Sequence, residues 1–205
     1  MQDIKVMIPE NLETAKLPDP SILTYYRNIE NRVLWLDSDV DDVWLQYERQ
    51  IIEWNRDDCE RPIEERMPIK LCFYSYGGDL DINESFIALI KLSKTPIIGI
   101  NMGQACSAGC FIFMACHKRL ALCGSRFLLH QGGAQNISGT YEQVVSSVME
   151  YQRQIINLEN YIKEHSTIPD EILEERIGTE WYMTAEEAVE FGICDKIVDN
   201  INEIL

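Results

Sequence analysis

Gly103-Gln104-Ala105-Cys106-Ser107-Ala108-Gly109 places one hydroxyl among small residues, between two apolar runs. The run before it, Pro96 to Asn101, reads as a strand, and the run after it, Cys110 to Cys116, reads as a helix. A serine at a strand-to-helix turn presents its oxygen outward and leaves the next backbone N–H free. Small neighbours let a substrate backbone approach. Outward from this stretch, Arg126 to Leu129 reads as another strand that ends at His130, and acidic residues follow later. A serine nucleophile, a histidine base and an orienting carboxylate need these residue types. Taken alone, Ser107 would be read as a helix N-cap and His130 as a satisfied strand histidine.

The flanking chain alternates strand and helix. Arg32 to Leu36 reads as a strand, and Asp39 precedes Val43, Trp44, Tyr47, Ile51 and Trp54 at helical spacing. Asn55 to Pro68 is charged and aperiodic, which predicts a surface loop. Ile69 to Ser75 predicts a strand that turns at Gly77-Gly78, followed by a helix with Ile82, Phe86, Leu89 and Ile90 on one stripe. Gln131 to Gly139 is polar and glycine-rich. Tyr141 to about His165 predicts a long helix with Val144, Val148, Tyr151, Ile155, Leu158 and Ile162 on one face. Glu171 to Ile177 can form another. Thr184-Ala185-Glu186-Glu187 is a capping box, with Gly192 as the stop. The class is therefore α/β with a largely parallel sheet. Residues 1–28 carry Pro9, Pro18 and Pro20 and predict an extended arm; residues 29–205 predict one domain.

Composition narrows the function. The chain has 205 residues, 46% hydrophobic and 25% charged, enough for one domain with a sizeable core. A net charge of −16 without a basic patch argues against nucleic acid or anionic membrane as a partner. Of seven cysteines, Cys72, Cys106, Cys110, Cys116, Cys123 and Cys194 lie in apolar runs, which predicts buried free thiols in a reducing compartment. Their spacing, with His117, lacks paired zinc knuckles. No G-x-x-x-x-G-K loop is present for ATP, and no apolar run approaches the roughly 18 residues of a membrane helix. The start, Met1-Gln2-Asp3, is not a signal segment, and the expected location is cytoplasmic.

Four stretches together resemble one family. Tyr76-Gly77-Gly78 resembles a glycine turn after a strand; Met102 to Gly109, a nucleophile motif; Leu129-His130-Gln131 with Gly132-Gly133-Ala134-Gln135, a histidine strand; and Met183 to Gly192, a C-terminal helix motif. In this order they are similar to the proteolytic subunit of the caseinolytic (Clp) proteases, over roughly Arg32 to Asp199. The resemblance implies the crotonase-like superfold, a repeated β-β-α spiral with a protruding handle, a strand plus the long helix, at about 131–165. It implies Ser107 as nucleophile, His130 as general base, and the backbone N–H groups of Gly78 and Ala108 as oxyanion donors. Gly132 and Gly133 would pair with the substrate backbone. The family's acid is an aspartate four residues before the helix-capping Ser or Thr. Thr184 is the cap here, so Glu180 takes that place, with Asp195 as the rival. Tyr76 replaces a proline of the turn, and the segment between His130 and Gly132 is shorter than the family's.

The resemblance further implies a serine endopeptidase acting inside a homo-oligomeric chamber, a heptameric ring or two stacked rings. An AAA+ unfoldase would feed it unfolded polypeptide. No cofactor or metal is implied. Two other readings use the same fold: a catalytically inactive ring subunit, and an acyl-CoA hydratase or isomerase that needs no Ser–His pair. An α/β-hydrolase would carry its acid before its histidine.

Overall fold

The structure is a computed structural model that describes residues 19–133 and 137–204. It divides into two units, Met1–Asn31 and Arg32–Leu205. The described part of the first unit holds one helix, α1 (Pro20–Glu30), where an extended arm was expected. The reason is local. Asp19 caps the helix by accepting the Ser21 N–H at 2.9 Å, and Pro20, fixed near helical φ, occupies the first position. The rest of that arm, with Pro9 and Pro18, lies outside the described residues.

In the second unit, β1 (Val33–Leu36), β2 (Ile69–Ser75), β3 (Ile97–Cys106), β4 (Lys118–Leu122) and β7 (Lys196–Val198) run parallel in that spatial order. Two further strands leave this path. β5 (Arg126–Leu129) pairs parallel with β3, and β6 (Trp181–Thr184) pairs antiparallel with β5. The helices are α2 (Leu45–Asp57), α3 (Leu80–Leu92), α4 (Ala108–Ala115), α5 (Tyr141–His165), α6 (Asp170–Arg176) and α7 (Ala185–Glu190). Both helix ends of the C-terminal motif behave as their sequence dictates: Gly192, just past the end of α7, takes a φ of 69°, and the start is capped reciprocally. The Thr184 hydroxyl accepts the Glu187 N–H at 3.2 Å, while Glu187 Oε2 accepts the Thr184 N–H at 2.8 Å.

β3 is the element on which the architecture turns. Its first half pairs with β4 (Ile98 to Asn101) and its second half with β5 (Gln104 to Cys106). Between them the register against β2 shifts, with Phe73 opposite Asn101 and Tyr74 opposite Gln104. Asn101 is fully buried at this fork. Its Oδ1 accepts the Gly103 N–H at 3.0 Å and its Nδ2 donates to the Arg126 carbonyl at 2.9 Å. One side chain thus fixes the bend and anchors β5. Sequence periodicity ends the strand at Asn101, because the continuation to Cys106 exists only through pairing with β5. β4 and β6 are not predicted for the same reason: β4 opens on Lys118-Arg119, and both are short strands whose partners are distant in sequence.

The core forms between the sheet and α4, in which every residue from Ala108 to Met114 is buried. Phe113 packs edge-on against Phe73 and Phe127, with centroids 5.5 and 5.3 Å apart. Burying each such ring stabilises the fold by about 1.5–3 kcal/mol. The opposite face of the sheet carries a smaller cluster of Cys72, Ile100, Leu120 and Val198.

Two further expectations change. The segment Asn55 to Pro68 is not a loop throughout. α2 runs to Asp57, with Asn55 bonded to the Ser93 hydroxyl, and Ile63–Glu65 makes a 3-10 turn. Asp58 is fully buried, paired with Arg32 and accepting the Thr95 hydroxyl at 2.9 Å. In the handle, Gln131–Gly133 carries no strand and residues 134–136 are outside the described residues, while the 25-residue α5 forms as predicted. Cys123 is exposed, as is Cys59, whereas Cys72, Cys106, Cys110, Cys116 and Cys194 are buried; all are free thiols.

Candidate active site

Ser107 sits between β3 and α4 with φ 52° and ψ −126°, one of two described non-glycine residues with positive φ. Such a conformation is costly and persists only where the surroundings over-determine it. Here they do. The Ser107 N–H donates to the Leu128 carbonyl at 2.9 Å, extending the β3–β5 pairing. Its carbonyl accepts the Cys110 and Phe111 N–H groups at 2.9 and 3.1 Å, starting α4. The backbone is claimed by sheet on one side and helix on the other, and the hydroxyl is turned outward.

His130 follows the end of β5. Its Nε2 lies 2.7 Å from Ser107 Oγ, and its Nδ1 lies 2.9 Å from Glu180 Oε1. Glu180 immediately precedes β6, which the antiparallel pairing Leu129–Trp181 sets beside the end of β5. A carboxylate accepts from Nδ1–H, so this network leaves the Nε2 lone pair facing the serine O–H. His130 is partly buried, and the Glu180 side chain is 59% exposed. The rival carboxylate is elsewhere. Asp195 pairs with Arg119 at 2.5 Å and accepts the Arg119 N–H at 2.7 Å, joining β4 to the start of β7.

Gly77 and Gly78 face this turn with φ of 101° and 152°. A Cβ on Gly77 would lie 2.5 Å from Ser107 Cβ and 2.7 Å from the Cys106 carbonyl. One on Gly78 would lie 2.2 Å from the Val40 carbonyl. Val40 donates to Gly77 O and accepts from the Asp79 N–H, both at 2.8 Å, and the Gly78 N–H lies outside this pair of bonds. Ala108 stands at the first position of α4, where a backbone N–H has no intrahelical partner.

An open cleft of about 650 Å³ runs over these groups. Ser107, His130, Glu180, Gly78, Gly132 and Gly133 all line it. Ala108 is fully buried behind Ser107. Gly132 is tied to the long helix, its carbonyl accepting the Tyr151 hydroxyl at 3.0 Å. Asp39, Gln104, Arg126 and Tyr182 also line the cleft and were not singled out from the sequence. Strand alternation carries the signal for two of them, since Gln104 and Arg126 stand two residues before Cys106 on β3 and Leu128 on β5, on the face that these two residues present to the cleft.

Cys106 lines the cleft too, but it is 4% exposed and burial pushes its thiol above the usual cysteine range. A thiol held in its protonated form is a poor nucleophile. Burial raises the Cys72 and Cys194 thiols to about 11, and lifts Cys110 and Cys116 further. Among the described residues no group of three or more His, Cys, Asp or Glu could hold a metal ion, and no helix is long and apolar enough to cross a membrane.

Comparison with known proteins bears on the fold and the family. The chain is similar in structure to a mutant of ClpP1 from Listeria monocytogenes, with a TM-score of 0.75 and 18% sequence identity, covering 89% of this chain and 99% of that one. At that identity the likeness is one of fold. A family model described as Clp protease matches residues 59–201, a span that holds Gly77-Gly78, Ser107, His130 and Glu180. The chain belongs to the Clp protease family.

Proposed function

We propose that this chain is a serine endopeptidase with Ser107 as nucleophile, His130 as general base and Glu180 as the carboxylate that orients it. The observation that carries this reading is the unbroken Ser107–His130–Glu180 contact chain at 2.7 and 2.9 Å, opening into a cleft floored by glycine backbone. Ser107 Oγ attacks the peptide carbonyl as its proton passes to His130 Nε2. The tetrahedral oxyanion accepts from the Gly78 and Ala108 N–H groups, in which each donor is worth about 3 kcal/mol by precedent. The C–N bond breaks as His130 returns the proton to the leaving amine. Water, deprotonated by His130, then hydrolyses the acyl-enzyme and restores the Ser107 O–H. Glu180 stabilises the imidazolium that forms in each half-reaction.

The chamber and its partners belong to the same reading. In α5 only Ile162 is fully buried, while Val145, Val148, Met149 and Ile156 stay exposed at 38%, 48%, 66% and 50%. A helix of 25 residues with this much bare apolar surface supports packing on further copies of the chain, as a heptameric ring or a stacked pair. Trp35 and Tyr74, both exposed on one face of neighbouring strands β1 and β2, support docking of an AAA+ unfoldase that delivers unfolded polypeptide. The site needs no cofactor, and the setting is the cytoplasm.

Fluorophosphonate labelling together with turnover of short fluorogenic peptides tests the reading. The wild-type chain labels at Ser107 and cleaves peptide. Ser107→Ala assembles normally, does not label and loses about 10⁶-fold in kcat. An assembled wild-type ring that neither labels nor cleaves is an inactive subunit, and peptide turnover that survives Ser107→Ala places the nucleophile elsewhere.

A further inference from the structure

The cleft holds two polar side chains that the Ser107–His130–Glu180 chemistry does not use. Gln104 and Arg126 lie opposite each other on β3 and β5, two residues before the Cys106–Leu128 pair. Side chains alternate across a strand, so these four residues share one face, and all four line the cleft. At 3.3 Å per residue the Gln104–Arg126 pair stands roughly 7 Å along the strands from Cys106–Leu128, within reach of a side chain one or two residues from a bond facing Ser107.

Neither group is spent on the fold. Gln104 is only 7% exposed, yet its Nε2 has no hydrogen-bond partner among the described residues. A buried amide without a partner destabilises a fold, so such groups call for an occupant. Arg126 gives its backbone carbonyl to Asn101, while its guanidinium makes no ion pair or hydrogen bond among the described residues. The acidic residues of the cleft do not neutralise it. Glu180 is engaged by His130, and Asp39 adjoins Val40 on the Gly78 side, across β3 from β5. A free cation in the cleft of a chain with net charge −16 runs against the global field, so anionic preference there must be local.

We propose that Gln104 and Arg126 form a subsite that binds a carboxylate of the substrate within two residues of the scissile bond, and that the enzyme thereby favours acidic sequence there. This rests on the reading of the cleft as a peptide site and deepens it. A guanidinium fork matches a carboxylate in two parallel N–H···O bonds, and the Gln104 amide adds a neutral donor. The carboxylate comes from an Asp or Glu side chain or from a free peptide C-terminus.

Equilibrium binding to full-length, assembled Ser107→Ala protein tests this without requiring chemistry. Fluorescein-labelled peptides that differ at one position by Glu, Gln, Leu or Lys, and a neutral pair ending in carboxylate or amide, are titrated by anisotropy. The Glu peptide should bind about three- to tenfold tighter than its Gln isostere, less so in high salt. Arg126→Gln should abolish that ratio and Arg126→Glu should turn it towards Lys, while Arg153→Gln, on the exposed face of α5, leaves it unchanged. Gln104→Met should weaken the Glu and Gln peptides relative to Leu without lowering the Tm, since it removes a buried unpartnered amide. Preference for the free-carboxylate member of the neutral pair assigns the subsite to chain termini; preference confined to the Glu peptide assigns it to side chains. Equal affinities for Glu and Gln together with equal affinities for the two members of the neutral pair, no binding of any peptide, or discrimination that survives Arg126→Gln overturns the proposal. So does altered sedimentation of Arg126→Gln with discrimination intact, which makes Arg126 an interface residue. Failure of wild-type Ser107 to label, with the Glu preference present, removes the peptidase reading and leaves the subsite standing.

Discussion

Ser107 holds a positive φ because sheet and helix both claim its backbone, and Gly77 makes room for that turn. Gly77→Ala therefore meets two obstacles: a φ of 101° and a Cβ 2.5 Å from Ser107 Cβ. We expect a loss of about 2 kcal/mol or more from backbone strain and contact together, with slower fluorophosphonate labelling. Gly124→Ala is the comparison. Its φ is 80° but nothing lies within 4 Å, so it should cost only about 1–2 kcal/mol in thermal or urea denaturation and leave labelling unchanged. Equal effects of the two would remove the close approach at Ser107 as an explanation. At the same scale, Glu180→Gln keeps the shape but favours the wrong His130 tautomer, and should lower kcat by about 10⁴. Glu180→Asp should be milder. Asp195→Asn should lower stability through Arg119 and leave kcat near wild type; the reverse pattern would make Asp195 the acid.

At the scale of elements, the fork of β3 is what brings His130 to Ser107. Asn101→Leu keeps volume but strips two bonds, orphaning the Gly103 N–H and the Arg126 carbonyl. The expected cost is about 1–3 kcal/mol, with a fall in kcat larger than any change in KM as β5 shifts. Unchanged kcat would mean that the strand is placed by its ladder alone. The long helix supplies the second test. Val148→Glu combined with Met149→Glu alters only exposed positions of α5, so the fold should persist by circular dichroism while sedimentation shows smaller species. Peptide turnover should fall with the assembly, and unchanged sedimentation would remove α5 as the contact between copies.

For the whole molecule, Asp58 ties the start of β1 to the end of α2 and the approach to β3. Hydrogen bonding from Arg32 holds its carboxyl below the usual carboxylate range; burial opposes this, and the Thr95 hydroxyl and the Arg61 charge add to the lowering. A carboxylate with a depressed folded pKa adds stability above its unfolded value, near 3.8, and loses it as the pH falls through the folded value. The urea midpoint should therefore drop below about pH 4 more steeply in wild type than in Asp58→Asn. Asp58→Asn should itself cost about 3–5 kcal/mol near neutrality, because it leaves the Arg32 guanidinium buried without its charge partner. Parallel acid limbs for the two proteins would show that other carboxylates set the acid transition.

The residues of the candidate site were legible in the sequence because their chemistry is local. Ser107 needs small neighbours at a strand-to-helix turn, Gly77-Gly78 needs backbone freedom, and Thr184 with Glu187 satisfies a helix end within four residues. The apolar run of α4 and the stripe of α5 were legible for the same reason. What the sequence could not carry were features whose energy comes from partners far along the chain. β3 continues past Asn101, and β6 exists, only because β5 is there to pair with them. Asp58 stands in a charged stretch that reads as solvent-facing, until Arg32 and Thr95 bury it. The sequence favours Glu180 over Asp195 through its register four residues before Thr184, but the contact of that carboxylate with His130 is made only in the tertiary structure. Both are acidic residues near the last helix, and antiparallel pairing of β6 with β5 brings one to the imidazole while Arg119 takes the other.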